Sequence, residues 1–513
     1  MWKDMFAHKP LHLFHEEMKG ENRLHRVLGR WSLTSLGIGC IIGAGIFVLT
    51  GLAAHYKAGP ALTVSFVVSG VTCIFAALCY AEFASMTPVA GSAYTYAYAT
   101  LGELMAWIIG WDLVLEYSVA AASVAHGWSK YFQNLIGIFH LKIPLLFANA
   151  PFDFDPAAGK FLVTGSWFDL SALLIVALLT VILVLGIRES SRFNNIMVFI
   201  KVAVVLLVIG IGVFYINSDN WHPFAPYGWS GLSIFGKTIL GQTSADGSPI
   251  GVLAGAAVIF FAYIGFDSVS THAEEAKNPQ RDVPFGIIAS LLICTVLYLV
   301  VTIVLTGMVP YDQIDIHAPV ASAFERIGLT WAQFVISVGA VVGITSVLLV
   351  LMLSQPRVLL AMARDGLLPP SFFGSVHPRF RTPWKSTIVT GIFVGLMASF
   401  IPLGILAELV NIGTLLAFVI VCTAVPIMRY RNPKAERPFR CPMVPVVPIL
   451  GVLLCLLLMF SLPSQNWLRL FIWMMVGMAI YFLYGRYHSV MAKRREQGLD
   501  KPITNNQIPI TKH

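Results

Sequence analysis

Long apolar runs separated by short polar ones dominate the chain between residues 32 and 487. Twelve windows, 32–56, 59–83, 95–125, 169–187, 193–216, 250–273, 284–309, 331–360, 384–402, 404–428, 445–463 and 468–487, are apolar enough to read as spans. A helix of such length crosses a hydrocarbon core of about 30 Å. Strands of a membrane barrel would instead alternate in polarity over segments of about ten residues, and that rhythm is missing from this sequence. The pattern therefore predicts an all-α integral membrane protein of 12 transmembrane helices.

Two of the windows do not read as continuous helix. The first contains Gly37, Gly39, Gly43, Gly45 and Gly51, and each glycine inside a helix costs about 0.5–1 kcal/mol relative to alanine. The sixth runs Phe260-Phe-Ala-Tyr-Ile-Gly265-Phe-Asp267-Ser-Val-Ser270, where Gly265 offers a second interruption. Broken backbone at membrane depth persists only where protein or a watery cavity covers it. A break frees amide N–H groups at the start of one half-helix and carbonyls at the end of the other. The first array suits a carboxylate and the second a cation, so the pair suits a zwitterion. Five spans separate the starts of the two broken windows, an odd number, so the second set of five runs with opposite topology. That parity is what an inverted repeat requires, with a site at the midplane.

The resulting division is a segment 1–31, a first five-helix unit 32–216, an external loop 217–249, a second five-helix unit 250–428, two further helices in 429–487 and a tail 488–513. The tail is polar and reads as mobile. No cleavable signal peptide is expected, because the first apolar window is too long and too glycine-rich.

Composition agrees with a membrane protein: 12% of residues are charged, 57% are hydrophobic and mean hydropathy is +0.76. Soluble proteins carry about 25% charged residues. The net charge of +8 is explained by its distribution. With the N-terminus inside, 26 of the 34 Lys and Arg fall on the cytoplasmic side, seven outside and one, Lys201, within a span. That is the positive-inside asymmetry, and it needs no nucleic acid. Seven cysteines, mostly in apolar runs, give no disulfide or zinc framework. His8, His12 and His15 have helical spacing, but an interfacial amphipathic segment explains them better than a metal site.

Charged residues inside the spans are the candidate chemistry. Asp112 and Glu116 are four residues apart and share one helix face. Glu116 is placed to receive a cationic side chain or a proton, or to partner a polar group on a neighbouring helix. Lys201 lies about nine residues past Arg192, roughly 13 Å along a helix. An ammonium at that depth must find carbonyls or a carboxylate, or release its proton, which makes it a natural coupling element or else a permanent tether. Asp267 follows the second break. The stretch Glu274 to Pro284 reads as a solvated boundary with the capacity for gate pairs.

The chain resembles the amino acid–polyamine–organocation (APC) superfamily of permeases, and within it the bacterial relatives of cationic amino acid transporters. The likeness rests on Gly37-Ile-Gly-Cys-Ile-Ile-Gly-Ala-Gly-Ile-Phe47, Gly110-Trp-Asp-Leu-Val-Leu-Glu-Tyr117 with Gly127-Trp-Ser129, Lys201, Phe260 to Asp267 with Glu274-Glu-Ala-Lys-Asn-Pro279, and Arg357 to Pro369. It implies a leucine-transporter-type fold of ten core helices plus two. It places a substrate carboxylate on amides near Gly43, Ala44 and Gly45, and an ammonium on carbonyls around Ile41, Phe261, Ala262 and Ile264. It also implies that Lys201 replaces a sodium ion used by other branches, so that protons drive uptake, and that Glu116 and Asp267 match acidic positions near the pocket. Ile344 matches the span-eight position facing the side chain, where its bulk favours small or medium neutral amino acids.

The expected function is proton-coupled symport of L-amino acids by alternating access, in the plasma membrane with both termini cytoplasmic. The alternatives are a cationic amino acid carrier using Glu116 and an amino acid exchanger. A membrane enzyme would need acid/base or metal ligands clustered at one depth, and the spans offer none. A non-transporting sensor usually carries a soluble output domain, which is lacking here. The expected partners are substrate, protons and lipid, with room for a small membrane accessory subunit. No cofactor is expected.

Overall fold

The computed structural model describes residues 8–9, 28–86, 92–155, 160–186, 191–235, 237–245, 247–380 and 382–496. Helix lies over the apolar windows. Eight helical stretches among the described residues are long and apolar enough to cross a membrane, and three shorter apolar helices accompany them. The first stretch, Arg30–Met86, consists of two arms, because Gly59 (φ +60°) and Pro60 turn the chain between them.

The helices are α1 (Arg30–Ile41), α2 (Leu62–Met86), α3 (Ser92–Thr100), α4 (Glu103–Gly137), α5 (Leu170–Leu185) and α6 (Ser191–Gly212). They continue with α7 (Val252–Ile259), α8 (Pro279–Met308), α9 (Pro319–Arg326), α10 (Thr330–Arg364), α11 (Trp384–Phe400), α12 (Leu403–Arg431), α13 (Val446–Phe460) and α14 (Ser464–Ile480). α4 is largely enclosed and packs on α10 and α12. α1 packs on α8 and α6. α5, α6 and α14 present rows of exposed Leu, Ile, Val and Phe, among them Leu174, Leu178, Phe199 and Phe471. In water such rows would be an aggregation hazard; in lipid they face a solvent as apolar as themselves.

Several expectations need correction. The third window does not start a single span at 95. Gly102 (φ +102°) divides it into α3, which carries Tyr94, Tyr96 and Tyr98, and α4, which continues to Gly137. A left-handed turn there is open to glycine and closed to most residues, and it could be read only as a possible boundary from sequence. The all-α expectation fails in the segments between α4 and α5 and between α6 and α7, which contain three antiparallel pairs. They are β1 (Phe152–Asp155) with β2 (Lys160–Val163), β3 (Leu232–Ile234) with β4 (Lys237–Leu240), and β5 (Gln242–Thr243) with β6 (Pro249–Ile250). Pairing satisfies backbone groups that a long loop would otherwise leave open. The chain after 487 is not free over its described part: Val490–Glu496 is helical and Val490 N donates to Asp365 O at 3.0 Å. Most of the segment 1–31, with His12 and His15, lies outside the described residues, as does the tail from 497.

Glu82, near the end of α2, is buried. Its carboxylate accepts from Arg429 Nε at 3.0 Å and Nη2 at 2.7 Å, and from Cys441 N at 2.8 Å. The bidentate pair ties the ends of α2 and α12 together, and removing one partner would strand a buried charge.

Candidate binding site at two broken helices

α1 stops at Ile41. Ile42 leaves helical backbone (ψ 102°) and the chain restarts at once, with Phe47 N donating to Gly43 O at 3.3 Å. Gly43 thus supplies the first carbonyl of the new helix, and the amides of Ala44, Gly45 and Ile46 form its first turn. Such amides have no intrahelical acceptor and point out of the helix start. Gly45–Leu49 and Ala54–Ala58 are π-helical turns, which mark backbone under local constraint. The second break follows the same logic. α7 tightens into a 3-10 turn at Phe260–Tyr263, Ile264 is extended (ψ 137°), Gly265 takes φ +113°, and helix resumes at Ser268–Thr271.

The two breaks pack on one another. A Cβ on Gly45 would lie 2.6 Å from Ala262 Cβ and closer still to Ala262 Cα, and one on Gly265 would lie 3.0 Å from the Cys40 carbonyl oxygen. Only glycine allows this approach. Beside the contact is a small void, lined by Cys40, Ile41, Gly43, Ala44 and Gly45 of the first break and by Phe261 and Ile264 of the second. Ala120 and Val124 of α4 and Val347 and Leu351 of α10 complete the wall. The wall offers backbone amides and carbonyls at one end and apolar side chains elsewhere. Among the described residues, no carboxylate or ammonium side chain lines it.

Of the residues singled out from sequence, Ile41, Gly43, Ala44, Gly45, Phe261 and Ile264 surround the void. Ala262 is the packing surface for Gly45. Ile344 is fully buried but does not line the void; Val347 and Leu351, one and two turns further along α10, take that place. This register was decided by the rotation of α10, which packs Gly343 against the Lys201 stem, its Cβ position 3.2 Å from Lys201 Cβ.

Lys201 reaches from α6 into the first break. Its fully buried ammonium donates to Gly39 O at 2.6 Å and Ile42 O at 3.0 Å. These are carbonyls that the interruption releases, so the cation occupies the negative end of the α1 dipole. Tyr298 of α8, which sequence reasoning missed, donates its hydroxyl to Ile41 O at 2.8 Å. Asn411 of α12 was missed too; its amide donates to Ala257 O at 2.8 Å and Val258 O at 2.9 Å, holding the run into the second break. An isolated Tyr or Asn in an apolar helix carries no signal of a partner some 150 to 260 residues away.

Glu116, Asp112 and Asp267 are buried away from the void wall. Asp267 Oδ2 accepts from Tyr117 OH at 2.8 Å, bridging α4 to the helix after the second break. Asp112 sits against Gly413 of α12, whose missing side chain leaves room for Oδ1. On the basic side of the molecule, backbone pairing links Leu28 with Ala276 (Leu28 N to Glu275 O 3.0 Å, Lys277 N to Leu28 O 2.8 Å), and Arg357 of α10 lies 3.6 Å from Glu275. The Glu274–Pro284 stretch therefore does contribute a cross-helix ion pair.

The chain matches the family model described as amino acid permease over residues 28–483. It is 47% identical to the methylthioribose transporter of Bacillus subtilis (strain 168), with 95% of this chain and 99% of that protein covered. It is also 47% identical to the branched-chain amino acid permease BcaP of the same organism, covering 92% and 95%. A third relative, the vacuolar cationic amino acid transporter 4 of Arabidopsis thaliana, is 32% identical, covering 92% and 94%. These relatives are transporters and permeases, not enzymes.

Proposed function

The chain belongs to the amino acid permease family, a multi-pass membrane protein of the APC type, and from that premise we propose that it carries L-amino acids with apolar side chains into the cell by proton-coupled symport. In this reading twelve spans cross the plasma membrane with both ends cytoplasmic. Residues 32–216 and 250–428 are inverted five-helix units, and alternating access rocks them about the two breaks. The observation that carries the reading is the pair of packed breaks beside a void walled by free amides at one end and by Val347, Leu351, Ala120 and Val124 at the other.

The substrate carboxylate sits on the amides of Ala44, Gly45 and Ile46, and the ammonium on carbonyls between Ile41 and Ile264. Ile41 O keeps a second lone pair beside Tyr298 and so can still accept. The apolar wall supports a neutral side chain, because a buried guanidinium or ammonium needs a carboxylate partner and none lines the void. The relative named for branched-chain amino acids supports the same choice.

Lys201 is the coupling residue. Charged, it holds Gly39 and Ile42 and ties α6 to the first break; on losing its proton it releases the first break from α6, within the first five-helix unit. A second substrate reading, methylthioribose, is favoured by the equally similar relative that bears that name. Uptake into proteoliposomes under an imposed inward proton gradient, competed by leucine, alanine, arginine and methylthioribose, tests both. Accumulation of leucine or alanine that collapses with the gradient is expected. Uptake that ignores the gradient and requires internal amino acid would replace symport by exchange, and competition by methylthioribose alone would replace the substrate.

A further inference from the structure

On the basic face of the molecule four stretches distant in sequence meet at two buried carboxylates. Glu103, at the start of α4, accepts from Tyr98 OH at 3.0 Å, from Tyr481 OH at 3.1 Å and from Ser489 Oγ. Asp365, just past α10, accepts from Lys9 Nζ at 2.9 Å and Tyr94 OH at 2.7 Å. Its backbone carbonyl accepts from Val490 N at 3.0 Å. Gly366 (φ +78°) lies so close under the His488 carbonyl that any side chain there would overlap it. Lys9 N also donates to Tyr98 O at 3.2 Å.

Lys9 is thus fastened to α3 and the turn after α10, and residues 481–490 to the start of α4 and the same turn. Tyr94 and Tyr98 are one helical turn apart on α3 and in edge contact (5.9 Å), so the two carboxylates grip one face of this nine-residue helix. α3 in turn meets the helix that follows the second break, where Ser270 Oγ donates to Ser92 Oγ at 3.2 Å. Movement of that half-helix away from α4 must break the Ser92 contact, the Tyr117–Asp267 bond or the seating of α3. A solvated surface would not need two buried carboxylates with five side-chain donors between them.

We propose that residues 8–9 and 481–490 form a double latch that holds α3 against the turn after α10 and so keeps the inner path to the void shut; release of the Ser489–Glu103 and Lys9–Asp365 bonds precedes inward opening. The identification of this face as the inner one rests on the topology proposed above. The latch makes transport sensitive to whatever engages the chain ends on that side.

Cys40 lines the void and is buried, which makes it a reporter of opening. Inside-out membrane vesicles carrying the full-length protein, with its seven cysteines, are pulsed with a membrane-impermeant maleimide, and labelled peptides are quantified by mass spectrometry. The variants are Ser489→Ala, Lys9→Ala and, on the same carboxylate, Tyr481→Phe. Each removes one side-chain bond to Glu103 or Asp365 from the closed state, and one net hydrogen bond changes an equilibrium by about fivefold. Cys40 labelling about fivefold faster in each variant, with Cys73 and Cys455 still protected, is the expected result. Unchanged labelling of Cys40 overturns the latch. Faster labelling of Cys73 and Cys455 together with Cys40 overturns it as well, because the bonds then serve stability and not gating. The readout needs neither amino acid nor proton gradient. Faster labelling in a protein that transports no amino acid would leave the latch standing and remove the proposed function.

Discussion

Gly45→Ala is the sharpest perturbation the site offers. The new methyl group would be 2.6 Å from Ala262 Cβ and nearer to Ala262 Cα, an atom no rotamer change can move. Carbon atoms rest about 3.5–4.0 Å apart, so the two half-helices must part by about 1 Å. Overpacking of this kind costs about 1–3 kcal/mol of stability, which a protein of this size survives. The effect on the site is larger, because a displacement of about 1 Å in groups that position a substrate lowers kcat/KM by about a hundredfold. That corresponds to about 2.7 kcal/mol. Gly210→Ala is the matched control: the same change in α6, with no atom within 4 Å of the new methyl. It should be neutral or stabilising by about 0.5–1 kcal/mol through helix propensity. Initial rates of amino acid uptake in proteoliposomes, with thermal unfolding of each purified variant, measure both quantities. A Gly45→Ala protein with parental uptake, or two variants that behave alike, would refute the argument that close contact of the breaks builds the site.

Four further outcomes are expected. Lys201→Ala should abolish gradient-driven accumulation while circular dichroism and elution volume stay parental; normal accumulation would remove Lys201 from coupling. Tyr298→Phe deletes one bond to Ile41 O, worth about 1 kcal/mol, and should raise KM about fivefold with little change in unfolding temperature. Val347→Ala shortens the wall beside Gly43, whose Cβ position lies 2.9 Å from Val347 Cγ2, and should shift preference toward larger side chains in competition assays; an unchanged profile would place the specificity wall elsewhere. Cys441, in the loop after α12, should resist alkylation at neutral pH in the native protein, because the neighbouring Cys79 thiol and burial push its thiol up, away from the reactive thiolate; mass spectrometry after a maleimide pulse reads this.

The helical spans were legible because lipid imposes a rule that sequence cannot evade: every backbone group must be satisfied within the segment, so apolar length alone announces a helix. The breaks were legible for the converse reason, since glycines gathered in such a segment are costly unless something uses the released groups. The division of the third window was less legible, because Gly102 is one glycine among 42 and only its φ of +102° distinguishes it. The hairpins between α4 and α5 and between α6 and α7 depend on pairing between short, irregular strands and had no periodic signal.

The sequence by itself determined which segments are helical, where two of them are interrupted and which charged groups are buried with them. Tertiary structure alone decided what those groups touch. The rotation of α10 turned Val347 and Leu351 toward the void and left Ile344 a turn away, and the crossing of α8 brought Tyr298 to Ile41. The approach of α6 set Lys201 between two freed carbonyls, and the folding back of both chain ends closed on Glu103 and Asp365. Helix formation follows from local composition and the surrounding solvent, but the angle and depth at which helices pack follow from contacts between residues hundreds of positions apart, and no local pattern records those.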